Sequence, residues 1–322
     1  MKTCQNCVLP DNFPGIRLNA AGICNFCLEF KKEGGLLGKR KAFREKFEKL
    51  LRENRGKGSY DGLLSYSGGK DSTYTLAVLK EQYGLNLLAF TVDNGFLPDQ
   101  TYENIRRVTD RLSVDHVFFK PAFETLQKIF GEGAKRNIFS ETTLARASTI
   151  CTSCMAIVRF SALRCAVEKR IPFLIFGWSP GQLPISASIM KNNPAMIRTM
   201  QEAVRRPLSR IAGQDLRPYF LENEHFERTR AFPYNISPLA FLDYDEGKIL
   251  ERAGRLGWKS PAGVDANSSN CLLNSYANIV HKRLYGYNPY VFELAKLVRE
   301  GYLKRAEALE KLAQPENKET VD

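Results

Sequence analysis

Ser67-Gly68-Gly69-Lys70-Asp71-Ser72 decides how this 322-residue chain is read, because of what stands on either side of it. Leu63-Leu64-Ser65-Tyr66, just before, is a short run with the character of a strand. Thr73 to Gln82, just after, carries Leu76, Ala77 and Leu79 with no breaker, which predicts a helix. Leu87 to Val92 is a second apolar run, so the six residues form the turn of a βαβ unit. Two glycines let backbone approach an anion closely, the free N–H groups of a new helix point at it, and the helix end carries about half a positive charge. Ser65, Ser67, Gly68, Gly69 and Ser72 are therefore candidate phosphate contacts. Lys70 adds a full charge, and Asp71 can hold a Mg2+ ion that bridges phosphates. The plain alternative is an ordinary glycine turn between strand and helix.

A Walker A loop has four residues between its first glycine and the Gly-Lys pair, and this stretch does not. Nor does it match the dinucleotide fingerprint. It resembles the PP-loop of the ATP pyrophosphatase superfamily. That resemblance implies ATP as cofactor, cleavage between its α- and β-phosphates, and transfer of AMP to a substrate oxygen before a nucleophile displaces it. Asp93 ends the second strand, where open α/β sheets bind ligands, and is a further nucleotide-site candidate. Asn94-Gly95 beside it equally suits a simple turn. Gly177, at the end of an apolar run from Pro172, is the last candidate of this set.

The whole chain sets the bounds. Its length suits one large domain with an appendage, or two modest ones. With 43% hydrophobic and 25% charged residues it has the composition of a soluble globular protein. No signal-like run opens the chain, and no stretch reads as a membrane span, so the expectation is a cytoplasmic protein without a membrane partner. Thiols stay reduced in that compartment, and the 8 cysteines point to metal or catalysis rather than disulfides. A net charge of +12 and a pI near 9.3 suggest anionic partners. From Lys31 to Lys57 eleven Lys or Arg face four Glu, along what reads as one helix. Such a helix can follow an RNA backbone or simply be a solvated face with partial ion pairing.

Cys4-x-x-Cys7 and Cys24-x-x-Cys27 have the spacing of a closed four-sulfur site, most simply Zn2+, joined by a turn-rich loop. A module this short has little apolar core, so metal would supply much of its folding free energy. Cys151-x-x-Cys154 stands apart and opens a helical stretch, Met155 to Lys169. Cys165 returns to the same helix face as Cys154 but about 16 Å along the axis, too far to share a metal. Cys271, in the polar loop Asn267 to Asn270, is the better third ligand. Three thiolates are one short of a closed site, and a [4Fe–4S] cluster so held keeps one iron open to an outside ligand such as sulfide. A redox or structural pair with an unrelated Cys271 is the alternative.

Two branches of the superfamily resemble different parts of the chain. The iron–sulfur-dependent tRNA 2-thiouridine synthetases are similar in the N-terminal zinc module, in Ser67 to Ser72, and in Cys151-Thr152-Ser153-Cys154 with Arg159 and a distant Cys271. The N-acetyl sugar amidotransferases of surface-polysaccharide synthesis are similar in two segments. One runs from Cys4-x-x-Cys7-Val8-Leu9-Pro10-Asp11 to Cys27, the other from Gly286 through Tyr290 and Glu293 to Gly301. The first branch usually has Gly-His-Asn and paired aspartates where this chain has Gly177-Trp178-Ser179-Pro180-Gly181, and a second zinc module where no cysteine follows Cys271.

Together these readings predict a zinc ribbon (1–30), a basic linker helix (31–58), and a doubly wound parallel α/β domain (59–240). A helical C-terminal region (241–322) brings back Cys271. Strands are expected at 62–66, 87–92, 115–119 and 172–177, joined by right-handed crossovers. The function they imply is adenylation of a substrate carbonyl oxygen followed by sulfur transfer from the cluster, with tRNA as one acceptor. The alternative is amidation of an N-acetyl sugar, on a nucleotide sugar for example, with ammonia from a partner glutaminase. A sulfur donor or that glutaminase is the implied protein partner, and a homodimer is compatible with either.

Overall fold

The computed structural model describes residues 2–32, 35–228, 230, 232–265, 267–268 and 270–317. Its centre is a six-stranded sheet: β1 (Gly62–Ser65), β2 (Leu87–Val92), β3 (Asp115–Phe119), β4 (Phe173–Phe176), β5 (Ile189–Lys191) and β6 (Tyr234–Ile236). The order across it is β3-β2-β1-β4-β6-β5, parallel throughout except for β5, which runs antiparallel to β6 at the edge. The chain winds outward from β1 to β3, then crosses back to β4 on β1's other side. A crevice must therefore open between the C-terminal ends of β1 and β4, the position at which such sheets bind ligands.

Both faces are covered, and the strands alternate between them. Leu63, Leu88, Phe90, Leu174 and Phe176 pack on one side, Leu64, Leu87, Ala89, Phe173 and Ile175 on the other. α1 (Asn25–Lys32) starts inside the second cysteine pair and contains Cys27, α2 (Leu37–Asn54) comes next, and β1 is followed by α3 (Lys70–Glu81). Then come α4 (Asp99–Leu112), α5 (Phe123–Lys135), the single turn α6 (Glu141–Leu144) and α7 (Thr149–Glu168). After β5 comes α8 (Pro194–Ala212), with α9 (Asn223–Glu227) before β6. The end of the chain is α10 (Glu246–Arg255), α11 (Leu273–Tyr285), α12 (Val291–Arg299) and α13 (Arg305–Ala313). α5, α7 and α8 cover the first face; α3, α4 and α10 cover the second.

Basic α2 does not stand off in solvent. Phe47, Leu50 and Leu51 are buried in the second core, Lys41, Lys46, Lys49 and Arg52 are exposed, and Arg40 turns inward to Asp243. α7 revises the sequence reading twice. It begins at Thr149, six residues before the expected Met155, and it is a helix long and apolar enough by composition to cross a bilayer. More than half of that apolar window is buried against the sheet, so the helix spends its apolar surface on the protein core. Gly69 is the N-cap of α3, so Lys70, Asp71 and Ser72 form its first turn rather than a loop ahead of it.

Candidate functional site

The Ser67–Ser72 loop is held from three directions. Gly68 sits at φ +74°, and a Cβ there would come within 2.8 Å of Ile105 and 2.9 Å of Thr101, so both backbone and space demand glycine. Its carbonyl accepts the indole N–H of Trp258 at 2.9 Å. From the other side β4 presses in: a Cβ on Gly177 would lie 2.6 Å from Ser72 Cα. The Ser67 and Ser72 hydroxyls are 3.1 Å apart, and Gly69 N donates to Ser67 Oγ at 3.3 Å. Ser65, Ser67, Ser72 and Gly177 line one cavity of about 530 Å³.

Lys70 and Asp71 turn away from that cavity into a half-buried charge cluster. The ammonium lies 3.0 Å from Asp71 Oδ2 and 3.3 Å from Glu246 Oε1, and Glu246 also pairs with Lys311 at 3.3 Å. Burial works against the Lys70 charge, but the two carboxylates outweigh it and its pKa is raised. Burial likewise raises Asp71, with Lys70 opposing. For Glu246 the balance is reversed: burial opposes its charge, yet Lys70 and Lys311 hold its pKa below the usual value. Glu293 is half-buried, its pKa is raised by burial, and it accepts the Ser179 hydroxyl at 2.5 Å. Lys70 therefore takes part in a structural ion-pair network of the folded chain.

Asp93 is 2% exposed and occupied: Oδ1 accepts the Gly95 N–H at 2.8 Å and Oδ2 pairs with Lys120 at 3.5 Å. It does not line the cavity; its neighbour Asn94 does.

The three candidate sulfur ligands line the same cavity. Ser148 caps α7 by accepting the Cys151 N–H, which puts Cys151 in the first turn and Cys154 in the next. That is the helix end whose dipole favours negative sulfur. The Cys271 loop is tied to both sides of the crevice. Asn270 donates to the Ser67 carbonyl at 3.3 Å, and Leu272 N donates to the Phe96 carbonyl at 2.9 Å; Ser269 lies outside the described residues. Asn94 Nδ2 lies 3.5 Å from both Cys154 Sγ and Cys271 Sγ, so those sulfurs are at most twice that distance apart. Asn274 Nδ2 is 3.9 Å from Cys151 Sγ. Burial raises all three thiols, Cys154 to about 12. Cys165 is away from this group, packed on the core side of α7, with burial pushing it up to about 11.

The cavity is otherwise mostly apolar, with Met155, Met200 and Val204 on its lining. Trp178, 37% exposed, stacks on Phe176 at 4.6 Å. Arg159 also lines it, has no hydrogen-bond or ion-pair partner among the described residues, and is lowered by burial.

The first four cysteines are fully enclosed. Cys4, Cys7, Cys24 and Cys27 have all their sulfurs within 4.8 Å of one another, with Cys4–Cys27 at 3.9 Å and Cys7–Cys24 at 3.7 Å. A tetrahedral zinc site with Zn–S near 2.3 Å has sulfur edges of about 3.8 Å, so the set fits that ion without rearrangement. Among the described residues it is the only group so tight, which makes the Cys151–Cys154–Cys271 triad the wider of the two. Phe13 and Val8 join these cysteines in one core with Tyr287, Val291 and Leu294, so the ribbon borrows its apolar packing from α12 and the residues before it.

Several site residues had no signal in the sequence reading. Trp258, Glu246 and Asn274 sit far along the chain from what they touch. Asn94 was visible only as turn chemistry.

No family model matches the sequence. An uncharacterized protein of Methanocaldococcus jannaschii is 26% identical over 293 residues, covering 91% of this chain and 86% of the relative. Among solved structures, NMN synthetase from Francisella tularensis is similar at TM-score 0.40 and 13% identity, over 85% of this chain and 91% of that one. A predicted subunit of tRNA methyltransferase from Methanocaldococcus jannaschii overlays at TM-score 0.31 and 18% identity, over 60% and 74% of the two chains. At scores this low the topology rests on the chain's own strand order.

Proposed function

We propose that this chain is an ATP-dependent sulfurtransferase that adenylates a carbonyl oxygen of an anionic acceptor and replaces it with sulfur. The observation that carries this reading is the single cavity shared by the phosphate-loop serines and by Cys151, Cys154 and Cys271. ATP phosphates would sit on the first-turn N–H groups of α3; Lys70 would leave its resting pair with Asp71 and Glu246 to offset charge on the departing pyrophosphate, and Asp71 so released would hold Mg2+. The acceptor's carbonyl oxygen bonds to the α-phosphorus as the bond to pyrophosphate breaks. Sulfide then bonds to the activated carbon as the C–O bond to AMP breaks. Arg159 places a positive charge where an anionic acceptor enters, and the apolar walls keep water from hydrolysing the adenylate.

The triad fits an iron–sulfur cluster by its chemistry: three cysteines on one cavity, no fourth cysteine beside them among the described residues, and an amide donor at each sulfur. A [4Fe–4S] cluster on them would supply an open iron for sulfide. Cys4, Cys7, Cys24 and Cys27 would hold a structural Zn2+. The convergence of the triad favours sulfur over ammonia as nucleophile.

The test is AMP release with RNA or nucleotide sugars as acceptor, driven by sulfide or by ammonium. Sulfide-driven release should vanish in Cys271→Ala while binding of a non-hydrolysable ATP analogue survives. Ammonium-driven release that persists in the Cys151, Cys154, Cys271 triple variant would give the amidotransferase reading first place.

A further inference from the structure

Each sulfur of the triad faces a carboxamide N–H whose direction is fixed by other bonds. Asn94 accepts the Phe96 N–H at Oδ1, 3.0 Å away, which leaves its Nδ2 for Cys154 and Cys271. Asn274 Oδ1 accepts twice, from the Tyr290 hydroxyl at 2.8 Å and from Asn278 Nδ2 at 3.0 Å. Among the described residues its own Nδ2 then faces Cys151 alone. Asn278 is itself held by Asp265 at 3.1 Å. Turning either amide over would break these bonds and set a carbonyl oxygen against sulfur, so the orientation is decided by the network. Donors locked onto sulfur do little for a neutral thiol, a weak acceptor, and much for sulfur bearing negative charge.

We propose that Asn94 and Asn274 are positioning residues that stabilise negative charge on the triad's sulfurs and thereby set the reduction potential of the cluster they hold. This rests on the cluster reading of the preceding section. Reduction adds an electron to the cluster, and N–H donors at its sulfurs stabilise that added charge, so removing a donor makes reduction harder. Asn94 serves two sulfurs and Asn274 one, which ranks their effects.

The experiment is an anaerobic redox titration of the reconstituted full-length protein, followed by electron paramagnetic resonance, with iron measured on the same samples. Asn94→Val should shift the midpoint to more negative potential, Asn274→Val should shift it less, and Asn94→Ser, which restores one donor, should recover part of the loss. If Asn94→Val loses its iron, Asn94→Ser and Asn274→Val carry the comparison and should both still shift negative. Iron-loaded variants with the wild-type midpoint would overturn the inference while leaving the cluster in place. A wild-type chain that takes up no iron would overturn both.

Discussion

Lys70 has two demands on one ammonium group. It lies between Asp71 and Glu246 with a side chain only 20% exposed, and the proposed mechanism calls on the same charge at pyrophosphate departure. Lys70→Met should therefore lose stability as well as activity. Removing one partner of a largely buried pair strands a carboxylate, with an expected cost of about 1–3 kcal/mol after allowance for partial exposure. Urea unfolding measures the first effect and AMP formation the second. A variant as stable as wild type would show that the Asp71–Glu246 contacts are incidental. The Ser-Gly-Gly-Lys-Asp-Ser run was legible because local spacing alone makes an anion nest. What Lys70 does in the resting protein was not, since Glu246 reaches it from far along the chain.

At the level of elements, α7 carries both chemistry and architecture. Its start was misplaced in the sequence because Thr149, Cys151, Thr152, Ser153 and Cys154 have modest helix propensity, and burial on the sheet overrides it. β1, β2 and β3 were legible from apolar runs of strand length; β5 and β6, three residues each, carry too little pattern to be read. The far end of α7 is pinned by Glu168, which accepts from Arg164 at 2.8 Å and lies 3.0 Å from His225 Nε2 on α9. Burial opposes the Glu168 charge, but His225 and Arg164 outweigh it, and its pKa is lowered. A carboxyl lowered in the folded state adds stability above its unfolded pKa, lost as pH falls through the folded value. Glu168→Gln should then be less stable than wild type at pH 7, with the gap closing below about pH 4. Thermal melts across that range check it; a gap that widens in acid would contradict the assignment.

Across the whole molecule, the ribbon and the C-terminal helices form one unit. Arg305 Nε donates to the Cys7 carbonyl at 2.9 Å, and Arg299 lies 3.7 Å from Cys7 Sγ, so both arginines on the C-terminal helices face the Cys4–Cys7 knuckle. The paired Cys-x-x-Cys spacing announced the site; its docking against residues near 290–310 could not be read locally. Cys24→Ser should lower bound zinc and also loosen α12 and α13, seen as faster amide exchange at Val291 to Ala313. Exchange confined to the first 30 residues would mean that the ribbon folds independently.

The same long-range closure brings Cys271 back over the sheet to Cys151 and Cys154, and on that closure the sulfur-transfer account depends. The most direct measurement is iron and acid-labile sulfide in the wild-type chain, purified and reconstituted without oxygen. The account predicts about four of each per chain, lost together in Cys151→Ala, Cys154→Ala or Cys271→Ala while zinc stays bound. A wild-type protein with its zinc in place and no iron would contradict it.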